Sequence, residues 1–250
     1  MNPVRFALSV RSNPGSPCLV MVLFALAGQP AAALSLDLFD GFRPGWRESW
    51  VERGTGRGSA RYEVVPGQKK PVLRATSAGS ASGLWRGLRL ERPRELLLSW
   101  RWKVEKSLKG NESERRRKGD DFAARVLIVF GPGLESRRTR GLCYVWAGSE
   151  PVGSVFPNPY TTRIATIVLE SGDERKGQWV SERRDALSDF RAAFGANPDS
   201  VAGVAVMVDT DDTQTTATSW FDDLQIHHGI GLGGRALAPR ADRSRVVQRR

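Results

Sequence analysis

Between residues 34 and 228 the chain is written in short apolar runs separated by Gly, Pro and charged turns, a spacing that predicts strands over helices. The run at 96–104 alternates in its second half, where Trp100, Trp102 and Val104 point one way and Arg101 and Lys103 the other. A second run spans 122–130. The same period puts Phe122, Val126, Ile128 and Phe130 on one face, and Asp121, Ala123, Arg125, Leu127 and Val129 on the opposite one. Runs at 142–146, 163–169, 201–208 and 218–226 complete the set. One helix is predicted over 185–194, where Leu187, Phe190 and Phe194 recur at helical spacing and Gly195 stands at the stop position. A single short helix among many strands argues for an all-β, two-sheet antiparallel β-sandwich and against a parallel α/β sheet.

The ends of the chain read differently. Arg5 and Arg11 precede an uncharged run over 18–27, no acidic residue occurs before Asp37, and Ala31, Ala32 and Ala33 supply small residues. The run is short for a bilayer span, which takes about 20 residues, so residues 1–33 are predicted to be a signal peptide instead of an uncleaved anchor. The expected domain is then 34–228, periplasmic or secreted. Its one remaining cysteine, Cys143, can form no internal disulfide and reads as a small buried apolar group. The formal net charge of +11 is concentrated in the signal segment and in a Gly-, Ala- and Arg-rich tail at 229–250. That tail is predicted to be disordered, with electrostatic contact to an anionic envelope as its functional reading and plain solvation as the alternative. The intervening charge is ordinary, which excludes nucleic acid as an expected partner; the domain is expected to be a monomer.

Acidic residues cluster at Asp120–Asp121, at Asp209, Asp211 and Asp212, and at Asp222–Asp223. Calcium takes six to eight oxygen ligands, so Asp209, Asp211 and Asp222 are expected metal ligands if the fold brings them together. The 209–212 group also suits a plain turn. Alternation across Asp222–Asp223 turns one carboxylate inward, where it needs Arg125, Arg101 or a metal as partner. The strand-then-Asp-Thr-Asp-Asp pattern at 204–213 matches haloacid-dehalogenase-type phosphatases, but too little chain follows it for their parallel α/β domain. His227 and His228 are adjacent, which excludes spaced histidine metal sites. An acid pair for glycan cleavage, Asp121 with Asp209, Asp211 or Asp222, stays open. The polar stretch at 103–119 reads as a solvated connection, or as a basic lip over an anionic ligand. Of the eight tryptophans, Trp100 and Trp102 belong to the core by their alternation, whereas Trp46, Trp50, Trp85, Trp146 and Trp179 are candidate sugar platforms.

Several of these segments occur together in one known family. Trp100-Arg-Trp-Lys-Val, Lys118-Gly-Asp-Asp-Phe-Ala-Ala-Arg-Val, Tyr144-Val-Trp, Asp189-Phe with Phe194-Gly, Asp209-Thr-Asp-Asp-Thr and Phe221-Asp-Asp-Leu resemble, in order, the motifs of the domain of unknown function 3047 family. The resemblance spans about 39–226 and implies an exported bacterial protein without an assigned activity. More loosely, Phe39-Asp-Gly-Phe-Arg-Pro-Gly-Trp46 and Trp220-Phe-Asp-Asp-Leu-Gln-Ile226 resemble the first and last strands of jelly-roll carbohydrate-binding modules. That likeness implies a jelly-roll, galactose-binding-like sandwich, with Asp222 as a ligand of a structural calcium. The expected function is binding of a carbohydrate or cell-envelope ligand in a groove formed by Arg101, Lys103, Asp121 and Arg125 with Trp146. A glycan-acting enzyme and an envelope scaffold are the alternatives.

Overall fold

The computed structural model describes residues 33–39, 42–54, 56–108, 113–134 and 136–229. The expected signal segment (1–33, except Ala33) and the basic tail (229–250, except Gly229) lie outside the described residues. The strands are β1 (Ala33–Asp37), β2 (Val51–Gly54), β3 (Arg61–Val65), β4 (Val72–Ala78), β5 (Ala81–Glu91), β6 (Glu95–Val104) and β7 (Ala124–Phe130). They continue as β8 (Arg140–Ala147), β9 (Val155–Asn158), β10 (Thr161–Ser171), β11 (Val180–Asp185), β12 (Ser200–Asp209) and β13 (Thr216–Gly229), with helix α1 (Ala186–Phe194) between β11 and β12.

These strands form a two-sheet sandwich. The first sheet has the order β11-β6-β13-β4-β3, and β1 pairs with the second half of β13 beyond the end of β4. The second has the order β2-β5-β12-β7-β8-β10-β9. Pairing is antiparallel except between β8 and β10, which run parallel, so the second sheet is mixed. The strand of the phosphatase-like motif, β12, lies antiparallel between β5 and β7, which removes that reading.

Alternation places the core where the sequence puts it. Leu96, Leu98, Trp100, Trp102 and Val104 of β6 face inward against Val126, Ile128 and Phe130 of β7 and Leu142, Tyr144 and Trp146 of β8. The rings interlock: Trp100 meets Trp102 and Tyr144 at 5.5 and 5.3 Å between centroids, and Trp102 meets Trp146 at 5.9 Å. Each large ring removes roughly 150–250 Å² from water, which is the main driving force for closing the sheets. Helix α1 begins where Asp185 accepts hydrogen bonds from the Leu187 and Ser188 amides, and ends at Gly195 in the left-handed region.

Two local expectations need correction. Phe122 does not share a face with Val126 and Ile128. The strand begins only at Ala124, and the irregular backbone before it turns the Phe122 ring to the other side of the sheet, against Cys143, Val145 and Phe156. Within the expected solvated connection at 103–119, of which 109–112 lie outside the described residues, Glu114 is not solvated either. The buried Glu114 carboxylate accepts hydrogen bonds from the Gly148, Ser149 and Glu150 amides at 2.5, 3.2 and 2.8 Å, which tie the segment to the end of β8. Gly148 is required there: a Cβ on it would lie 1.6 Å from the Leu108 carbonyl oxygen.

Candidate functional site

The outward face of the first sheet carries the clearest row of side chains that could meet a ligand. Inward Trp100 and Trp102 force Arg101 and Lys103 outward, and the same period turns Trp220 of β13 and Arg74 of β4 outward beside them. Register makes a row of these: Lys103 is opposite Trp220, Trp220 opposite Arg74, and Arg74 opposite Glu63. Trp179, immediately before β11, extends the row on the far side of Lys103. The Lys103 ammonium lies 5.5 Å from the Trp179 ring centroid and 4.1 Å from that of Trp220, and the Arg101 guanidinium lies 4.6 Å from Trp179. Lys103 makes no ion pair among the described residues; it meets two indole faces instead. Arg74 pairs with Glu63 through two nitrogens.

One register step along the same face, Asp222 and Asp223 occupy a β-bulge. Arg101 is opposite Asp222 and Ser99 is opposite Gln225, so β13 holds one extra residue, and Asp223 takes a left-handed φ of 51°. The bulge resets the alternation: both carboxylates stay on the outer face and Leu224 returns to the core. Neither points inward, contrary to the strict-alternation expectation. Asp222 is covered by its cations. It takes Arg101 Nε at 3.1 Å and Lys70 Nζ at 3.2 Å, while Asp223 takes Lys70 Nζ at 2.5 Å and Arg101 Nε at 2.9 Å. Of the partners the sequence allowed for Asp222, the fold uses Arg101. Asp222 is therefore a salt-bridged residue and not part of the carboxylate cluster that could hold a metal.

That cluster forms elsewhere, on the outer face of the second sheet and at its end. The connection from β12 to β13 is pinned on one side by Thr210, whose amide donates to the Ser80 carbonyl and whose hydroxyl lies 2.8 Å from the Ser77 hydroxyl. On the other side Asp121 accepts from the Asp212 and Thr213 amides at 3.2 and 2.6 Å. Carboxylate oxygens of Asp121, Asp211 and Asp212 come within 4.8 Å of one another. Asp209 is 5% exposed; its Oδ2 accepts from Arg125 Nη2 at 2.5 Å, while its Oδ1 has no partner. Burial pushes the Asp209 carboxyl up to about 9, and the neighbouring Asp211 and Asp121 carboxylates add to the rise against the pull of Arg125. Asp212 is held by Arg57 at 2.8 Å and by the Tyr160 hydroxyl at 2.7 Å. Asp120 is taken up by Arg125 and by the Asn158 amide at 2.8 Å.

The expected single groove therefore does not exist. Arg101 and Lys103 lie on the outer face of the first sheet. Arg125 lies on the outer face of the second, buried under the Phe122 ring and paired with Asp120 and Asp209. Asp121 is buried beside it, and Trp146 is fully buried between the sheets with its Nε1 donating to the Gly172 carbonyl at 3.1 Å. The reason is topological: one groove over Arg101, Lys103, Asp121 and Arg125 requires β6 and β7 in one sheet, and they belong to opposite ones. Among the candidate platforms Trp50 is also buried, by stacking on Phe39 at 5.3 Å, whereas Trp179 is partly exposed on the outer face. Sequence reasoning missed Trp220 and Asp212. The alternation Thr218, Trp220, Asp222 against Ala217, Ser219, Phe221 was the available signal for Trp220.

Burial also bears on Cys143, whose thiol is pushed up to about 11 by desolvation against the pull of Arg125 beside it. A separate cleft of about 510 Å³ opens beside α1, lined by Arg137, Arg138, Arg140 and Arg163 with Phe130 and Phe190. It contains none of the ligand or metal residues expected from the sequence.

Comparison with known proteins adds the following. A family model described as Protein of unknown function (DUF3047) matches residues 44–225. No curated protein sequence matches the chain. Among solved structures, the family 11 carbohydrate-binding module of the cellulosomal cellulase Lic26A-Cel5E of Clostridium thermocellum is 9% identical. It covers 82% of this chain and 100% of its own, with a TM-score of 0.44. The xyloglucanase domain of NopAA, a type three effector from Sinorhizobium fredii, is 10% identical over 80% of this chain and 98% of its own, with a TM-score of 0.41. The K1 cleaved adhesin domain of Lys-gingipain from Porphyromonas gingivalis is 14% identical over 80% of this chain and 100% of its own, with a TM-score of 0.39.

Proposed function

The chain belongs to the DUF3047 family of proteins of unknown function, and from its own geometry we propose that it is an exported module that binds an extended carbohydrate across the open face of its first sheet. The observation that carries this reading is the Trp179–Lys103–Trp220 row. The two indoles flank β6, one strand to either side, which separates them by about two strand spacings, roughly 10 Å. Rings at that separation can each take the apolar face of a sugar in one extended chain. Lys103 and Arg101 supply donors to hydroxyl groups between them, and they are held in place by the same rings. A row on rigid strands loses little freedom on binding, which favours affinity.

Burial favours binding over turnover. Glycan cleavage needs two carboxyls flanking the scissile bond. Here Asp121 and Asp222 are each 1% exposed and on opposite faces of the sandwich, and Asp222 is already neutralised by two cations.

Retention of the full chain on a panel of immobilised polysaccharides tests the reading. The double variant Trp179→Ala/Trp220→Ala is expected to bind at least about tenfold more weakly, about 1.4 kcal/mol or more, with its circular dichroism and melting temperature near wild type. Undiminished binding by that variant, or no retention of the wild type on any polysaccharide, overturns it.

A further inference from the structure

We propose that Asp121, Asp209, Asp211 and Asp212 form a binding site for one hard divalent cation, calcium by preference, which clamps the β12–β13 connection onto the chain entering β7. The site is independent of the carbohydrate face, which lies on the other side of the sandwich.

Two observations carry it. The first is convergence: oxygens of Asp121, Asp211 and Asp212 gather within 4.8 Å although Asp121 is 91 residues from Asp212 in sequence. The second is Asp209. Its Oδ1 is buried and takes no N–H or O–H donor from the chain, and the Asp211 and Asp121 carboxylates lie within hydrogen-bond reach of its carboxyl, an approach that needs a shared proton or a cation. A turn-capping role explains Asp121, whose two oxygens take the Asp212 and Thr213 amides. It does not explain Asp209. While Asp209 is ionised, its buried oxygen facing two further carboxylates is costly twice over, by desolvation and by repulsion. One divalent cation among them removes both costs.

The charge balance points the same way. Asp120, Asp121, Asp209, Asp211 and Asp212 crowd this end, and the cations that pair with them among the described residues are Arg125 and Arg57. The donor set is all oxygen, which suits calcium, magnesium or manganese and not zinc or copper. Calcium is preferred because the ligands come from a turn, a strand end and a distant segment. Such a set meets calcium's irregular shell more readily than magnesium's strict octahedron. Carboxylate oxygens that accept one amide keep a lone pair for the ion, and water completes the shell. The Tyr160 hydroxyl, 2.7 Å from Asp212, closes the site and offers a reporter.

The test uses chelator-stripped full chain. Titration calorimetry with calcium chloride is expected to show one saturable site, and the melting temperature to rise by about 5–10 °C at roughly a hundredfold excess over Kd. Terbium should become luminescent through Tyr160 and lose most of that signal in Tyr160→Phe. Asp211→Asn and Asp209→Asn should each weaken calcium at least about tenfold. Asp211, whose ion pair among the described residues is with the exposed Arg57, keeps the test valid if loss of the Arg125 pair prevents Asp209→Asn from folding. Absence of saturable binding by calcium, magnesium and manganese alike overturns the proposal, as does calcium affinity unchanged in Asp211→Asn. All readouts follow the ion and none follows a glycan, so failure here leaves the carbohydrate reading intact.

Discussion

Glu182 shows how one side chain can set a pH dependence in a fold of this kind. It lies on the core side of β11, with its carboxyl beside the Trp102 indole nitrogen. Burial, with the charge of Glu170 added, pushes its carboxyl up to about 7. Between the ordinary glutamate range and that value, the folded chain keeps a proton that the unfolded chain releases. Stability therefore falls as pH rises from about 4.5 to about 7 and levels off above. Thermal melts across that window should show the fall in the wild type and a flatter profile in Glu182→Gln. Equal slopes for the two proteins would assign the pH dependence to other groups. The same logic of partners separates the tryptophans. Trp102 and Trp146 are ring-on-ring core residues, whereas Trp179 and Trp220 find their partners in cations on an open face.

At the level of elements, the strands and helix were legible because their periods differ, and the connections were not. The 103–119 stretch looks like charge in solvent, yet Glu114 gathers three amides at the end of β8 and the segment continues to Asp120 and Asp121, which anchor the other outer face. Glu114→Ala leaves those amides without their shared acceptor and is expected to cost about 2–3 kcal/mol in urea unfolding. A loss below about 0.5 kcal/mol would mean the amides are satisfied by water and the segment is not anchored there. The bulge in β13 is a second case. A strict two-residue period across Asp222–Asp223 sends one acid inward; one extra residue at a positive φ keeps both outside, where Lys70 and Arg101 bridge them. Nothing in the local pattern announces a bulge, since its benefit lies in cations on β6 and on the chain before β4.

For the whole molecule, β1 and β13 pair within the first sheet, with Ala33 opposite Gly229, so the described domain begins and ends on one ladder. If residues 1–33 are removed on export, as we propose, protein recovered from the periplasm or medium should begin at Leu34 by N-terminal sequencing. An intact Met1 on the recovered protein would exclude cleavage. Composition and periodicity sufficed for the class of fold, for the inward Trp100 and Trp102, and for the Asp185-to-Gly195 helix, because those depend on neighbours along one strand or one helical turn. Which sheet each strand joined was decided only in three dimensions. Alternation states that Arg101 and Arg125 each face away from a core, but not that β6 and β7 lie in different sheets. That one fact separates the Trp179–Lys103–Trp220 platform from the carboxylates around Asp121. Meetings across 91 residues are set by packing between distant surfaces, and no local pattern in the chain encodes them.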